Sequence, residues 1–520
     1  MTDPAHASAF DEASRIIRRF AHETNLLVAG RPVRIIGADA VAESLRTIAS
    51  ALGAQAVPDG DESVSADVVE IDTHYAPALI SLGGEPLTSR GTAAGRVDFA
   101  GAHMPVTRAL AAELAAAEIV SGLSVGVCLT LEPKTAQLAL HLAAAGAEVA
   151  VYAHPDEIDP EVASVLRERG IPVDGDVSLS GEEEREAALG FLRRGFDVLV
   201  DDGSHLVRLA HQDAPDEVAR WIGVSEETTS GLTPLREMSA AGILQTPVIA
   251  VNDAATKTGF DNRYGTGQSC VFAIADLLDA AQVNIRERPA LVIGYGPVGV
   301  GVAAHLRALG VDVRVAEADP VRALLAQHDG YRVGRAADLG AGALVVSATG
   351  VAGTIPAPLL RDAFAVAVAG GVPGEIALDE TLHTDQLEPV SRDIERLTTA
   401  TTLVLDRGGC INVTAAEGNP IEIMDLSFAT QLAAISELVS TRPETGVHAL
   451  SDAAVAHVGA VAARERGLEL DTPQATDVTT GDLTPGSADA AAAPSLGDAW
   501  HSRRFSIGRS AVPPSSQETP

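Results

Sequence analysis

Three glycines, Gly294, Gly296 and Gly299, open the centre of PALVIGYGPVGVGVAAHLRALGVDVRVAEADP (289–320). An apolar run, Ala290–Ile293, precedes them. A run with helical spacing follows to about Leu309, and a second apolar run ends at Glu317. Strand, G-x-G-x-x-G, helix, strand and acid in this order form a dinucleotide-binding fingerprint. Gly294 permits the tight turn, Gly296 lets backbone amides approach a pyrophosphate, and Gly299 lets helix lie close on strand. The helix N-terminus offers free N–H groups and a favourable dipole to that anion. Glu317 accepts hydrogen bonds from a ribose diol and repels a 2′-phosphate, which selects NAD over NADP. Arg322, close by, works slightly against that selection. ALVVSATGVAGTI (343–355) reads as a buried strand and a Ser-Ala-Thr-Gly loop. In a doubly wound sheet that loop, with Thr349, lies over the cofactor.

A second group of reactive side chains precedes the glycines. GVSEETTSG (223–231) and VNDAATKTGFDNRYGTGQS (251–269) crowd acids, amides, hydroxyls and a lysine where no amphipathic period explains them. Only Lys134 and Lys257 are lysines among 37 basic residues. High-G+C coding favours arginine without any functional reason. Yet lysine, unlike arginine, changes its protonation readily, so a chain this poor in lysine keeps it where shape or chemistry requires it.

These residues need a frame. Residues 10–20 read as a helix, and 31–57 as strand, helix and strand, with Gly53 suited to the helix C-cap. VVEID (68–72) reads as another strand. The GAD turn there lacks the glycine pattern, so this unit reads as structural. From about 86 the alternation becomes regular: a helix over 106–120, a strand at 124–131, a helix and strand over 135–153, and a strand at 196–203 ending in carboxylates. Alternation of this kind predicts parallel sheets with helices on both faces and ligands at the strands' carboxyl ends. The expected class is α/β with two doubly wound domains. The boundaries read as an N-terminal α/β extension (1–85), a substrate domain (86–267 and 420–465), an NAD domain (268–419) and a tail (466–520). From 471 the tail holds six prolines in fifty residues and is expected to be disordered, with WHSRRF (500–505) the one stretch able to dock.

Composition limits the partners. The 520 residues are 46% apolar and carry 71 acidic against 37 basic residues, a net charge of −34. That balance disfavours nucleic acid and anionic lipid. Cys128, Cys270 and Cys410 are far apart, which argues against a disulfide framework and a thiolate metal site. No apolar run approaches the roughly 18 residues of a membrane helix, and the acidic start is no signal peptide. A cytoplasmic location is expected, with a small-molecule substrate.

The segments GVSEETTSG, VNDAATKTGFDNRYGTGQS, VIGYGPVGVG and VAEADP together resemble the S-adenosyl-L-homocysteine hydrolase family. CLTLEPKTAQLALHLAAAGAEV (128–149), DRGGCINVTAAEGNPIEIMDLSFATQ (406–431) and TGVHAL (445–450) extend the likeness over roughly 86–465. The resemblance implies tightly held NAD that oxidises a ribose 3′-hydroxyl, loss of the acidified C4′ proton, elimination at C5′, addition of water, and return of the cofactor to its starting state. It implies a homotetramer, although the family's C-terminal Lys and Tyr have no clear match here. By motif, Lys257 and Asp261 match the pair that handles the 3′-hydroxyl proton, with Asn262 beside them. A lysine lowered in pKa near an apolar cofactor ring serves as a base. Glu227 matches the acid that holds the ribose hydroxyls, and Asp202 the carboxylate near C4′. Thr228, Thr229 and Asn412 match cofactor contacts.

Other positions depart from the family. Its HMT-x-E stands here as Thr130, Leu131, Glu132, Pro133, Lys134, so an acid–base histidine is a threonine and two base-binding groups are Glu132 and Lys134. Its GHF is Gly370-Gly371-Val372, its GHPS has Asn419 in place of histidine, and its active-site cysteine is Thr266. His103, in HMP, reads as a structural residue on the helix before the strand. Threonine cannot exchange protons near pH 7 as histidine does. The expected activity is therefore 3′-oxidation and C4′ deprotonation of another nucleoside, with a 5′ group eliminated. A nucleoside dehydratase of antibiotic biosynthesis, forming an exocyclic alkene, fits. The rival readings are a true hydrolase with a rearranged site, a 3′-epimerase or oxidase, and a non-catalytic NAD-binding regulator.

Overall fold

The computed structural model describes residues 4–58, 60, 67–87, 91–372 and 374–471. Contacts divide the chain after Glu469. Most of the expected tail, including 500–505, lies outside the described residues. Among the described residues no helix is long and apolar enough to cross a membrane.

Three sheets carry the fold. The first has five strands in the order Gln55–Ala56, Pro32–Ile36, Val69–Asp72, Leu79–Leu82, Glu85–Pro86. Its first three are parallel and the last two antiparallel. Asp39 caps Ala40–Ala51, and Gly53 follows that helix in the left-handed region at φ +88°. The helix Pro4–Thr24 docks this unit on Thr266–Ala280, where Arg18 pairs with Asp276 and Asp279.

The second sheet has seven parallel strands: Gly446–Ala449, Pro247–Ala250, Gly223–Glu226, Val198–Asp201, Ser124–Cys128, Glu148–Tyr152 and Val173–Asp174. The chain runs outward from Ser124–Cys128 in one direction and from Val198–Asp201 in the other. The crevice for a ligand therefore lies between the ends of these two strands. Ser124–Cys128 stops three residues short of the expected end, and Leu131 makes only an isolated parallel bridge to Ile158.

The third sheet has eight strands: Arg332–Val333, Val313–Ala316, Ala290–Ile293, Leu344–Ser347, Ala365–Val368, Leu403–Leu405, Ile394–Leu397 and Leu387–Ser391. The last two add an antiparallel edge that the sequence pattern did not predict. Its reversal of order falls between Ala290–Ile293 and Leu344–Ser347, which places Gly294 beside Thr349. The chain crosses from the second sheet to the third through Asp261–Gly265 and Thr266–Ala280, and returns into Ile421–Thr441.

Candidate functional site

The glycine loop has the expected division of labour. A Cβ on Gly294 (φ +95°) would meet the Ala348 carbonyl at 2.9 Å, and one on Gly299 would lie 2.0 Å from the Gly294 carbonyl oxygen. A Cβ on Gly296 would meet nothing nearer than Arg322 Nη1, at 3.5 Å. The loop is thus crowded at its first and third glycines and open at the second, where a pyrophosphate would approach. Glu317 stands at the strand end and accepts from the backbone N–H groups of Tyr295, Ala318 (2.6 Å) and Asp319 (2.8 Å). Its carboxylate borders the loop, where a ribose diol would reach it. Thr349 bonds Thr354 at 2.7 Å and Glu375 at 3.3 Å. These residues fit NAD.

The polar constellation forms a buried cluster. Lys257, on the short helix Ala255–Thr258, donates to Asp261 Oδ1 at 3.0 Å, Asn262 Oδ1 at 3.4 Å and Asn252 Oδ1 at 3.5 Å. Glu227 Oε1 lies 3.9 Å from Nζ. Asp261 and Asn262 stand on a π turn, Asp261–Gly265, a widened turn that recurs at functional sites. Burial opposes the lysine's charge, but Asp261, Glu227 and Asp202 outweigh it and hold Lys257 above its ordinary range. Three carboxylates thus face that lysine.

Burial pushes Glu227 up to about 7, against the pull of Lys257. Gln431 donates to Glu227 Oε2, while Oε1 is buried without a hydrogen-bond partner. An orphaned buried carboxylate oxygen is costly unless a ligand donor meets it. Glu226, also buried, accepts from Gly203 N (2.9 Å), Ser204 N (3.0 Å) and Thr228 N (3.0 Å). It fixes the turn that carries Asp202. Burial raises Asp202 as well, against a hydrogen bond from Thr228 and the charge of Lys257. Thr229 accepts from Asn252 Nδ2 at 2.9 Å.

Asn419 ties the halves together. Its Nδ2 donates to Asp261 Oδ2 at 3.1 Å and Thr266 Oγ1 at 3.3 Å. Its Oδ1 accepts from Ser269 Oγ at 2.9 Å and Asn412 Nδ2 at 3.2 Å. One amide thus joins the Lys257 cluster to Asn412.

Glu132 and Lys134 are bonded to each other and to the backbone. Glu132 caps Pro133–Ala144, accepting from Lys134 N (2.9 Å) and Thr135 N (3.2 Å), and pairs with Lys134 Nζ at 2.7 Å. Lys134 Nζ also donates to the Glu417 carbonyl at 2.8 Å. Lys134 is completely buried, so it is no surface lysine. Thr130 accepts through its carbonyl from Thr135 Oγ1 at 2.7 Å. Gly371 adopts φ +110°, and a Cβ there would lie 3.8 Å from Cys410 Sγ. His103 ends Ala93–Ala102 with its Nδ1 2.9 Å from the Phe99 carbonyl, a structural contact.

Sequence reasoning missed Asn252, Glu226 and Gln431. Gln431 had a signal: Asp425, Ser427, Thr430 and Gln431 are polar residues set among the apolar ones of the buried first half of helix Ile421–Thr441. Asn252 had none beyond its neighbours.

The family model for the S-adenosyl-L-homocysteine hydrolase NAD-binding domain matches residues 262–418. An adenosylhomocysteinase of Archaeoglobus fulgidus is 34% identical over 389 residues, 72% of this chain and 95% of that protein. An S-inosyl-L-homocysteine hydrolase of Methanopyrus kandleri is 36% identical over 398 residues, 73% and 92% of the respective chains. An adenosylhomocysteinase of Aeropyrum pernix is 38% identical over 358 residues, 67% and 85%. Among solved structures, an NAD⁺-bound 3-phosphoglycerate dehydrogenase of Entamoeba histolytica matches 63% of this chain and 99% of its own, at 11% identity and a TM-score of 0.37.

Proposed function

This chain belongs to the S-adenosyl-L-homocysteine hydrolase family and is an NAD-dependent enzyme, and from that premise we propose that it dehydrates a nucleoside across C4′ and C5′. One observation carries the reading. The cluster of Lys257, Asp261, Glu227 and Asp202 is assembled and buried, while Thr130 stands at the strand end where the resemblance puts a histidine. The apparatus for the ribose is kept and that for the leaving thiol is altered.

NAD, when bound at Gly294, Gly296, Gly299 and Glu317 with Thr228, Thr229, Thr349 and Asn412 around it, supplies reversible oxidation of the ribose 3′-carbon. Glu227 Oε1 accepts a ribose hydroxyl. Lys257 meets the 3′-oxygen and relays its proton to Asp261, 3.0 Å away. Asn262 and Asn419 hold this pair in place. Asp202 takes the C4′ proton once C3′ is a ketone. Electrons from that C–H bond form C4′=C5′, and the 5′ substituent departs. Glu132 and Lys134 are bonded to each other and so close the region where the family reads its base. Thr130 borders the 5′ end. We take the assembly to be a homotetramer and the setting to be nucleoside-antibiotic biosynthesis.

The test is incubation in deuterium oxide with a panel of adenosine, inosine and their 5′-substituted analogues. Substrate recovered before completion should carry deuterium at C4′, and an alkene product should form. Asp202→Asn should suppress exchange. Exchange that persists in Asp202→Asn but vanishes in Glu227→Gln would move the base to Glu227. No exchange with any converted substrate would overturn the reading. The second reading is hydrolysis of an S-nucleosylhomocysteine. It is favoured by relatives named for both adenosyl and inosyl substrates, and it predicts rapid homocysteine release.

A further inference from the structure

Thr130 leaves the 5′ leaving group without a proton donor, and the structure offers a replacement one strand away. Beyond the strand ends, Leu131 and Ile158 form a parallel bridge. Leu131 N donates to the Glu157 carbonyl at 2.8 Å, and Asp159 N to the Leu131 carbonyl at 2.9 Å. Thr130 and Glu157 precede the two bridged residues, each by one position. Leu131 lies in the core and Ile158 packs against it, whereas Thr130 and Glu157 are each half-buried.

Glu157 interacts electrostatically with Asp202, and both act on the thiol of Cys410, which comes from the loop that follows the third sheet. Glu157, Asp202 and Cys410 are therefore within electrostatic reach of one another, and the Leu131–Ile158 bridge brings the chain at Thr130 beside the chain at Glu157.

We propose that Glu157 is the acid that protonates the departing 5′-oxygen, in the role that the missing histidine would have filled. The inference rests on the dehydration reading above. Asp202 removes the C4′ proton, and the electrons of that bond form C4′=C5′. The C5′–O bond breaks, and its oxygen takes the Glu157 proton and leaves as water. Glu157 ends as carboxylate and Asp202 as carboxylic acid, so one proton returned from Asp202 to Glu157, directly or through solvent, resets the pair.

The environment assigns these roles. Burial, with Asp202 adding to it, pushes Glu157 up to about 7, so it holds a proton near neutrality. The groups facing it are Asp202, His154, Asp156 and Glu184, and Cys410 lies across the crevice. His154 works the other way, and its Nδ1 lies 2.9 Å from Glu184 Oε1. Asp202 has Lys257 and the Thr228 hydroxyl to favour its ionised form, and Glu157 has neither. Two carboxyls in unlike surroundings divide into an acid and a base.

The experiment uses leaving groups of different basicity. Chloride departs without a proton, whereas hydroxide does not. Glu157→Gln in the full-length holoenzyme should lower alkene formation from adenosine or inosine by at least about 100-fold. It should leave elimination from 5′-chloro-5′-deoxyadenosine and its inosine counterpart within a few-fold of wild type, with C4′ exchange retained. Equal losses on both kinds of probe, or no loss on either, would overturn the proposal. A second measurement needs no turnover. The infrared carboxylic-acid band at pH 6.5 should lose one component in Glu157→Gln, and its titration should move to lower pH in Asp202→Asn. If the band is unchanged in Glu157→Gln, Glu157 does not carry the proton and the proposal fails, whatever the probes do. If the band is lost as expected but wild type converts no probe, the dehydration reading fails, and the acid role fails with it.

Discussion

At the scale of single residues, three carboxylates share one lysine. Lys257 is surrounded by Asp261, Glu227 and Asp202 and is held charged. Lys257→Arg keeps the charge but replaces a compact, exchangeable ammonium by a planar group that does not give up its proton. Turnover should fall on the order of 10²–10⁴-fold. Activity within a few-fold of wild type would show that Lys257 only binds. Glu227 gives a matching stability test. Its folded pKa of about 7 lies above that of an exposed glutamate, so the folded state binds the extra proton between those values. Wild type should therefore lose stability relative to Glu227→Gln as pH rises from about 4.5 to about 7. Chemical denaturation of both proteins across that window checks the sign, and a difference constant with pH would remove the argument for a buried, proton-holding Glu227. Glu317→Ala should weaken NAD by about 1–3 kcal/mol, the cost of leaving a buried polar partner unmet. Calorimetry on stripped protein measures it, and unchanged affinity would take Glu317 out of the site.

At the scale of elements, the cofactor helix Pro297–Ala308 is fixed by close backbone contact. A Cβ on Gly301 would lie 1.9 Å from the Arg263 carbonyl, on the π turn that carries Asp261 and Asn262. No side chain intervenes, so the helix behind the glycine loop packs directly on the turn that carries Asp261 and Asn262. Gly301→Ala must push helix and turn apart, and overpacking of this kind costs about 1–3 kcal/mol. We expect the melting temperature to fall and C4′ exchange to fall with it; an unaltered exchange rate would show that the contact does not position Asp261. This element shows how far the sequence could be read. Gly294, Gly296, Gly299 and Glu317 were legible because their spacing is local and each glycine has a reason within the motif. Gly301 was not, because its reason is a carbonyl 38 positions away. Glu132 was read for its charge, but its two oxygens serve a helix cap and Lys134, whose Nζ also meets the distant Glu417 carbonyl. Glu157 sits in a loop, HPDEID, that has no period, and its importance comes from the register of Leu131 with Ile158.

At the scale of the whole molecule, the crevice lies between two sheets that share two chain crossings, and buried polar contacts hold the crossings together. The N-terminal unit grips both. Asn25 donates to the Glu417 carbonyl at 3.1 Å and accepts from Ile421 N at 2.9 Å, while Gln268 Oε1 accepts from Val28 N at 2.9 Å. Lys134 reaches the same Glu417 carbonyl from the helix over the second sheet. The extension and Lys134 thus converge on the return crossing that carries Asn419. Removing one partner of a buried pair leaves the other charged and unmet, which costs about 3–5 kcal/mol, whereas replacing both is far milder. Lys134→Met should therefore destabilise the protein by about that amount, and adding Glu132→Gln should recover most of the loss. Equilibrium denaturation of the two single variants and the double variant measures the coupling. Because both polar ends meet the protein itself, the ratio of kcat/KM for adenosine to that for inosine should stay within a few-fold of wild type in Lys134→Met. Unchanged stability with an inverted base preference would mean that Lys134 turns from Glu417 to the nucleobase when substrate binds.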